Sequence, residues 1–428
     1  MNRFFKRSIK FIVIILAIIL IPQSVNIQSE LNMRVLITTM AIDLTDENEY
    51  ELTAQVVIPS SNNESGSAEI DFVSAKASTI TEAIERLSFV LGRTTGLSHI
   101  SCIILGKKLT EENKTMQALD YFVRDRDVLN SSLLLISDKE AKEVLSNTKK
   151  LQLSSAVGLQ KIFMYKEINC NGIASQLQEF FNEYFTESKT DYISGIKIDE
   201  EKSENESGAS GESGGSSGGS GQQETAGGGS SSGGGSSSGG GGSEKNGRIN
   251  YNNSVYVFKE GELKTTITDD DSLLGVFLTN NNSTEGVVTI EDVNENMVQN
   301  AKMGLYFRDK KVKFKTRFVD GKPKCKIKIS TNRNEIYSIE GQDTNLGLYK
   351  TQNNYLSDEV VDKFKEKMKE CVLKAYTQAK DSGADLFKIG DMLYRNNAKE
   401  WKKLKEEKGD NYLSEVDLDI EIVIKKQT

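Results

Sequence analysis

The sequence is poor in the residues that most soluble catalysts use for proton transfer and metal binding. One histidine, His99, occurs in 428 residues. A Ser-His-Asp arrangement is therefore excluded unless His99 is itself the base, and its place at the head of a strand-like run favours a structural role. Cysteine is scarce and scattered. Cys102, Cys170, Cys325 and Cys371 fit no metal-binding spacing, so a metal centre would have to be built from carboxylates alone. Outside the cytoplasm a disulfide between two of them stays open, but buried free thiols are the plainer expectation. The densest acidic run, Asp269-Asp270-Asp271, lacks the spaced ligands and turn glycine of a calcium loop and reads as a solvated turn between strands. Carboxylates abound, yet nothing selects a glycosidase-like pair. No phosphate-cradling Gly-x4-Gly-Lys-Ser/Thr run exists: Gly106-Lys107 has Ser101 where the first glycine should stand. A net positive charge is also missing. At −8, the chain gives no sign of the basic face that nucleic acid requires, and no reason to expect adhesion to anionic lipid.

What is present begins at the N-terminus. A basic stretch with Arg3, Lys6, Arg7 and Lys10 precedes residues 11–21, an unbroken apolar run ended by Pro22. This is the pattern of an export signal. At ~1.5 Å per residue the run spans roughly 17 Å, against ~30 Å for the hydrocarbon core, closer to a signal-peptide core than to a membrane helix. Ser24 and Ser29 are the candidate cleavage positions, and both removal and retention as an anchor stay open. In either case the positive flank sends the chain beyond Pro22 out of the cytoplasm. No later run approaches a membrane-spanning length.

Residues 201–247 turn almost wholly to Gly, Ser and Glu. Such a segment cannot bury enough apolar surface to offset its ordering entropy, so a disordered linker is expected, with ends about 35 to 40 Å apart. The chain then divides into a signal or anchor (1–24), an N-terminal α/β domain (30–148), a small second region (149–200), the linker, and a C-terminal domain (248–428).

Within the first domain, 33–43 and 50–59 read as a hairpin. Thr79 and Glu82 form a capping box for a helix with Ile80, Ala83, Ile84, Leu87 and Leu91 on one face. A buried strand near 100–105, a helix from Thr110 carrying Met116, Leu119 and Phe122, and a strand at 131–136 come next. Asp138 is placed to cap a helix reaching Leu145. An amphipathic helix is expected over 172–185. Beyond the linker, strands are expected at 254–259, 273–278, 287–290, 303–308, 312–319 and 324–329, with a turn at Asp320-Gly321. Ser357 then caps a helix of about 26 residues whose Val361, Phe364, Met368, Val372, Ala375 and Ala379 form one stripe, ended by Gly383. The terminal strand, 415–425, alternates apolar and acidic residues. The fold class expected is α+β, multidomain, with an N-terminal α/β module and a C-terminal antiparallel sheet packed against the long helix.

The order Gly383-Ala384-Asp385-Leu386-Phe387-Lys388-Ile389-Gly390-Asp391, Leu393-Tyr394-Arg395, Lys399-Glu400-Trp401-Lys402-Lys403-Leu404 and an alternating terminal strand resembles the C-terminal end of the Ger(x)C family, the C subunits of bacterial spore germinant receptors. The N-terminal half carries matching pieces in the right order: Met40-Ala41-Ile42-Asp43, Gln55-Val56-Val57-Ile58-Pro59, Tyr121-Phe122-Val123-Arg124-Asp125 and Ala141-Lys142-Glu143-Val144-Leu145. The chain departs from the family pattern at Lys388-Ile389, which stand for Gly-Phe, and at Ala398, which replaces a proline. A second tryptophan near Asn411 is missing, the chain ends Gln427-Thr428 where Arg-Thr-Gly is usual, and no cysteine before Cys102 can serve the family's lipid-attachment box. The resemblance implies a non-catalytic subunit without cofactor or metal. It would sit on the outer face of the spore inner membrane and work with integral membrane A and B subunits to couple nutrient detection to release of ions and dipicolinate. Trp401 and Phe387 are the candidate anchors, read first as core residues and second as interface residues. The alternative is an exported solute- or cell-wall-binding protein unrelated to germination, which would need a concave pocket between the modules. An extracytoplasmic hydrolase would need two convergent carboxylates in a cleft.

Overall fold

A computed structural model describes residues 34–58, 69–147, 155–200, 247–250, 254–295, 298–342 and 357–425. The expected export segment, and the Gly/Ser stretch apart from its last residue, lie outside the described residues. The class is α+β, with an N-terminal α/β sheet and a C-terminal region of sheets and helices.

Strands β1 (Arg34–Leu44), β2 (Tyr50–Ile58) and β3 (Glu69–Ala77) form an antiparallel meander. Helix α1 (Ile80–Leu91) comes after it, its Thr79 hydroxyl accepting from the Glu82 N–H as the capping pattern requires. The short β4 (Thr94–Gly96) and then β5 (Cys102–Leu105) pair parallel to β1. The single expected helix from Thr110 is two, α2 (Lys107–Glu111) and α3 (Thr115–Arg124), separated where Asn113 takes a left-handed φ of 56°. Strand β6 (Leu133–Ser137) leads to α4 (Ala141–Asn147), α5 (Ser155–Ile168), α6 (Leu177–Tyr184) and β7 (Thr190–Glu200). The β1, β5, β6 and β7 strands run parallel in that spatial order. Every residue of β5 and β6 is buried, the expected consequence of helices on both faces. The faces separate with period two. Ile103, Leu105, Leu134 and Ile136 meet α1, α3 and α6, whereas Cys102, Ile104, Leu133 and Leu135 meet α4 and α5.

Two local expectations change here, and one helix, α5, was not expected. Helix α6 starts five residues later than 172, because Gln176 is extended and bridges to Leu133. Helix α5 has no clean stripe: Leu159 and Phe163 are buried while Met164 and Tyr165 are exposed, so periodicity does not announce it. Asp138 does not cap α4. That task falls to Asp43, whose carboxylate accepts from the N–H groups of Ala141 (2.6 Å) and Lys142 (2.9 Å).

Beyond the linker, β8 (Gly247–Asn250) and β9 (Val255–Lys259) pair antiparallel with β7, and β10 (Glu262–Ile267) pairs with β9. The strand expected at 254–259 as the start of the C-terminal module, with two unexpected neighbours, thus completes the N-terminal sheet. Strand β9 serves both cores: Tyr256 and Phe258 face the N-terminal one, Val255 and Val257 the C-terminal one.

The stretch expected as a strand at 273–278 is helix α7 (Asp270–Thr279), with Asp269 accepting from Ser272 N–H at its N-cap. The acidic triplet is therefore a helix start and not a turn between strands. A short continuous apolar run does not reveal its period, and the capping signal decides it. Strands β11 (Gly286–Glu295), β12 (Val298–Arg308) and β15 (Arg333–Gln342) form one antiparallel sheet. Strands β13 (Lys311–Val319) and β14 (Lys322–Thr331) form a hairpin through Asp320 and Gly321, both at positive φ (50° and 75°). Helix α8 (Asp358–Asp381) carries the expected stripe fully buried, its first turn capped by Ser357 and its exit made by Gly383 at φ 77°. Gly275 of α7 lets α8 approach: a Cβ there would stand 2.1 Å from the Cys371 carbonyl oxygen. Helices α9 (Ile389–Asn396) and α10 (Ala398–Lys408), then a 3-10 segment (Gly409–Glu415), lead to β16 (Asp417–Ile424).

The expected antiparallel C-terminal sheet is corrected at this point. Strand β16 pairs parallel to β14, so the second small sheet is mixed. The intervening helices carry the chain back to the starting end of β14, a crossover that makes parallel pairing the outcome. This register sets Asp417, Asp419 and Glu421 opposite Lys324, Lys326 and Lys328. Their ion pairs include Lys324 to Asp417 at 2.7 Å and Lys326 to Glu421 at 2.7 Å.

Candidate functional site

The two cores are locked together by the turn after α8. Its Asp385 is buried, and its carboxylate accepts from the N–H groups of Ile389 (3.0 Å) and Gly390 (2.7 Å) and from the Tyr412 hydroxyl (2.7 Å). Burial pushes this acid up, while the three donors pull the other way. Lys388 enters α9 in the left-handed region, φ 54°. Gly390 is required by close approach: a Cβ there would lie 2.8 Å from both Trp401 Cη2 and the Tyr412 oxygen.

From this turn, contacts reach the segment between α6 and β7. Asp391 accepts from Ser188 N–H (3.0 Å) and hydroxyl (2.7 Å), and Asp385 N–H donates to the Thr190 hydroxyl at 3.1 Å. The Lys388 ammonium pairs with Glu183 at 2.7 Å, and Trp401 Nε1 donates to Glu187 at 3.0 Å. Lys259, buried at the end of β9, donates to the Gly383 carbonyl at 2.7 Å and pairs with Asp410 at 3.1 Å. A cation at the exit of α8 also suits the helix dipole. Burial pushes Asp191 up to about 7 despite the neighbouring Lys388. Burial works against the Lys388 charge, yet Tyr192, Asp191 and Glu183 hold its ammonium above the usual lysine range.

Both sequence-selected anchors stand here, and both are buried. Trp401 is 1 % exposed and meets Tyr412 edge-on at 4.8 Å; Phe387 stacks on Tyr376 at 5.8 Å. Neither offers a free ring to a partner. The polar ties at Ser188, Thr190, Lys259 and Asp391 were missed in the sequence because each partner lies 120 residues or more away. Two cavities flank Lys388. One, about 520 Å³, is lined by Glu183, Phe185, Glu187, Asp391, Tyr394 and Arg395 among others; the second, about 180 Å³, opens beside Tyr192 and Phe387.

Chemically the junction is a clamp. Asp385 and Asp391 spend their oxygens on backbone and hydroxyl donors, which fixes geometry. His99 stands exposed in the turn before β5, far in sequence from these groups. The cysteines are free and buried, and burial pushes the Cys170 thiol up to about 11 and the Cys325 and Cys371 thiols to about 12. Among the described residues no group of three or more His, Cys, Asp or Glu is placed to hold a metal ion.

Two family models match the chain, one described as spore germination protein N-terminal domain over residues 28–198, the other as spore germination B3/GerAC like, C-terminal, over 253–426. The chain belongs to the GerAC-like spore germination family. Both family descriptions are of spore germination proteins. A curated relative, spore germination protein B3 of Bacillus subtilis (strain 168), is 31% identical over 109 residues, 25% of this chain; the chain spans only 29% of that protein's length. Among solved structures, the crystal structure of the GerBC protein matches with TM-score 0.48 and 16% identity, covering 90% of this chain and 96% of that one. Two of the GerAC-like sequence pieces meet in space: Asp43, from the first, caps the helix that begins with Ala141-Lys142, from the last. Gly106 makes room for this cap, since a Cβ there would fall 2.1 Å from Asp43 Oδ1.

Proposed function

We propose that this chain is a non-catalytic subunit of a spore germinant receptor, exported and membrane-associated, acting by binding to integral membrane A and B subunits at the outer face of the spore inner membrane. The observation that carries the reading is the match of both family domains in their proper order across most of the chain. The junction geometry is consistent with it: hydrogen bonds through Asp385, Asp391, Lys259 and Trp401 join the turn after α8 to the segment between α6 and β7 and to β9. In this reading membrane attachment is assigned to the N-terminal apolar run or to the partners. No described helix is long and apolar enough to cross a membrane. The test is crosslinking of an epitope-tagged copy in dormant spores with mass spectrometry of the inner-membrane fraction. Recovery with A and B subunits is expected; recovery only from culture medium or cell wall would overturn the assignment.

A second reading, an exported solute- or cell-wall-binding protein, is favoured by the cavity of about 520 Å³ beside Lys388 and Arg395. A thermal-shift screen of small polar solutes and wall fragments tests it. A stabilising ligand whose effect is lost in Arg395→Ala would support this reading over the first.

A further inference from the structure

The net charge of −8 conceals a segregated positive surface. In the β13–β14–β16 sheet, Val312, Phe314 and Phe318 of β13 turn toward the core, as do Cys325, Ile327 and Ile329 of β14. The opposite face carries Lys311, Lys313, Lys315 and Arg317 on β13, all exposed. Lys324, Lys326 and Lys328 of β14 are matched by the acids of β16. Strand β13 lies at the sheet edge with no acidic strand beside it, and among the described residues none of its four cations forms an ion pair. Two-residue spacing puts successive charges about 7 Å apart, in a row roughly 20 Å long. The row stands on an open sheet face.

We propose that this face of β13 docks the protein onto an anionic phospholipid surface. Charge complementarity selects the partner: a linear row of unpaired ammonium and guanidinium groups on an open face can engage several phosphates of a bilayer plane at once, each contributing attraction that falls off within a Debye length. A compact anion would engage one or two of them. The inference rests on the membrane-associated part of the proposed function and is independent of the germination role.

The test uses the full chain and vesicles of phosphatidylcholine alone or mixed with phosphatidylglycerol. Because the N-terminal apolar run can enter either vesicle, the readout is the ratio of the two partition coefficients. At low salt the parent is expected to prefer the anionic vesicles, and the preference should shrink as salt rises. Lys311→Gln/Lys313→Gln/Lys315→Gln/Arg317→Gln is expected to lower the ratio by roughly a hundredfold or more, about fivefold per cation. Lys311→Arg/Lys313→Arg/Lys315→Arg should retain it. Should the fourfold variant misfold by circular dichroism, Lys313→Glu alone is expected to lower the ratio by about tenfold or more, since it replaces attraction with repulsion. An equal ratio in parent and charge-removed variants, or no preference in the parent, overturns the proposal and leaves the lysines as guards of an edge strand. Tighter, salt-sensitive binding of duplex DNA that displaces the parent from vesicles would also overturn it, by assigning the face to nucleic acid. Loss of the vesicle preference would leave recovery with receptor subunits in spores untouched, so the two readings fail separately.

Discussion

The N-terminal sheet and the small β13–β14–β16 sheet solve opposite problems. Strands β5 and β6 are covered on both faces, and their sequences, Cys-Ile-Ile-Leu and Leu-Leu-Leu-Ile-Ser, are correspondingly apolar throughout. In the β13–β14–β16 sheet only one face is covered, and every second residue of β13, β14 and β16 is charged over most of its length. The first sheet is held by sandwiching helices and depends little on any single polar contact. The second depends on α8 and the α9–α10 turn to close its apolar side, so its weak points are individual side chains at that closure.

The sharpest way to break the comparison is Trp401→Ala. Removing a fully buried indole in contact with Tyr412 should cost about 3–5 kcal/mol; urea unfolding followed by near-ultraviolet circular dichroism should show the C-terminal region opening before the N-terminal sheet. Next is Gly275→Ala, which sets a methyl against the Cys371 carbonyl and should cost about 1–3 kcal/mol by overpacking. For Asp43→Ala the expected loss is about 1–2 kcal/mol, because α4 loses the acceptor of two N–H groups; thermal unfolding reads this, and Asp138→Ala should fall well below it.

A fourth test exploits pH. Asp191 has a folded-state value raised from 3.8 to about 7, so the fold binds its proton more tightly than the unfolded chain does. Its contribution is present below about pH 4 and is lost as pH rises toward 7. Asp191→Asn removes that titration, and its melting temperature relative to the parent should therefore rise between pH 5 and pH 8. A relative fall over that window would show Lys388 dominating burial. The smallest expected effect is Gly158→Ala in α5, where a Cβ meets nothing within 4 Å; it should stabilise by about 0.5–1 kcal/mol through helix propensity, the opposite sign to Gly275→Ala.

Much of the architecture was legible. The Thr79 and Ser357 caps, the α8 stripe, the Asp320-Gly321 turn and the inner face of β16 all come from local rules. The class, α+β, and the family resemblance were read from residues that the fold then brings together, as with Asp43 and Ala141. What was illegible depended on long-range partners. Residues 273–278 read as a strand because five apolar residues and a glycine in a row carry no period. The direction of β16 depends on where three helical segments deliver the chain, and no pattern within the strand encodes that. The junction is the clearest case, since Ser188 is unremarkable in sequence and Asp391 enters there only as the end of a family motif; the tie between them exists only once the fold brings them together.

By itself, then, the sequence determined which segments are helices or strands wherever caps, turns and periodicity agree, and it determined the family, because motif order survives without three-dimensional information. The tertiary structure alone decided that β9 and β10 complete a sheet begun before the linker, that Asp43 instead of Asp138 caps α4, and that an acidic chain carries a cationic face. The physical reason is range. Capping and periodicity act within a turn or two of the backbone, whereas burial, sheet pairing and the segregation of charge depend on which distant segments share a surface.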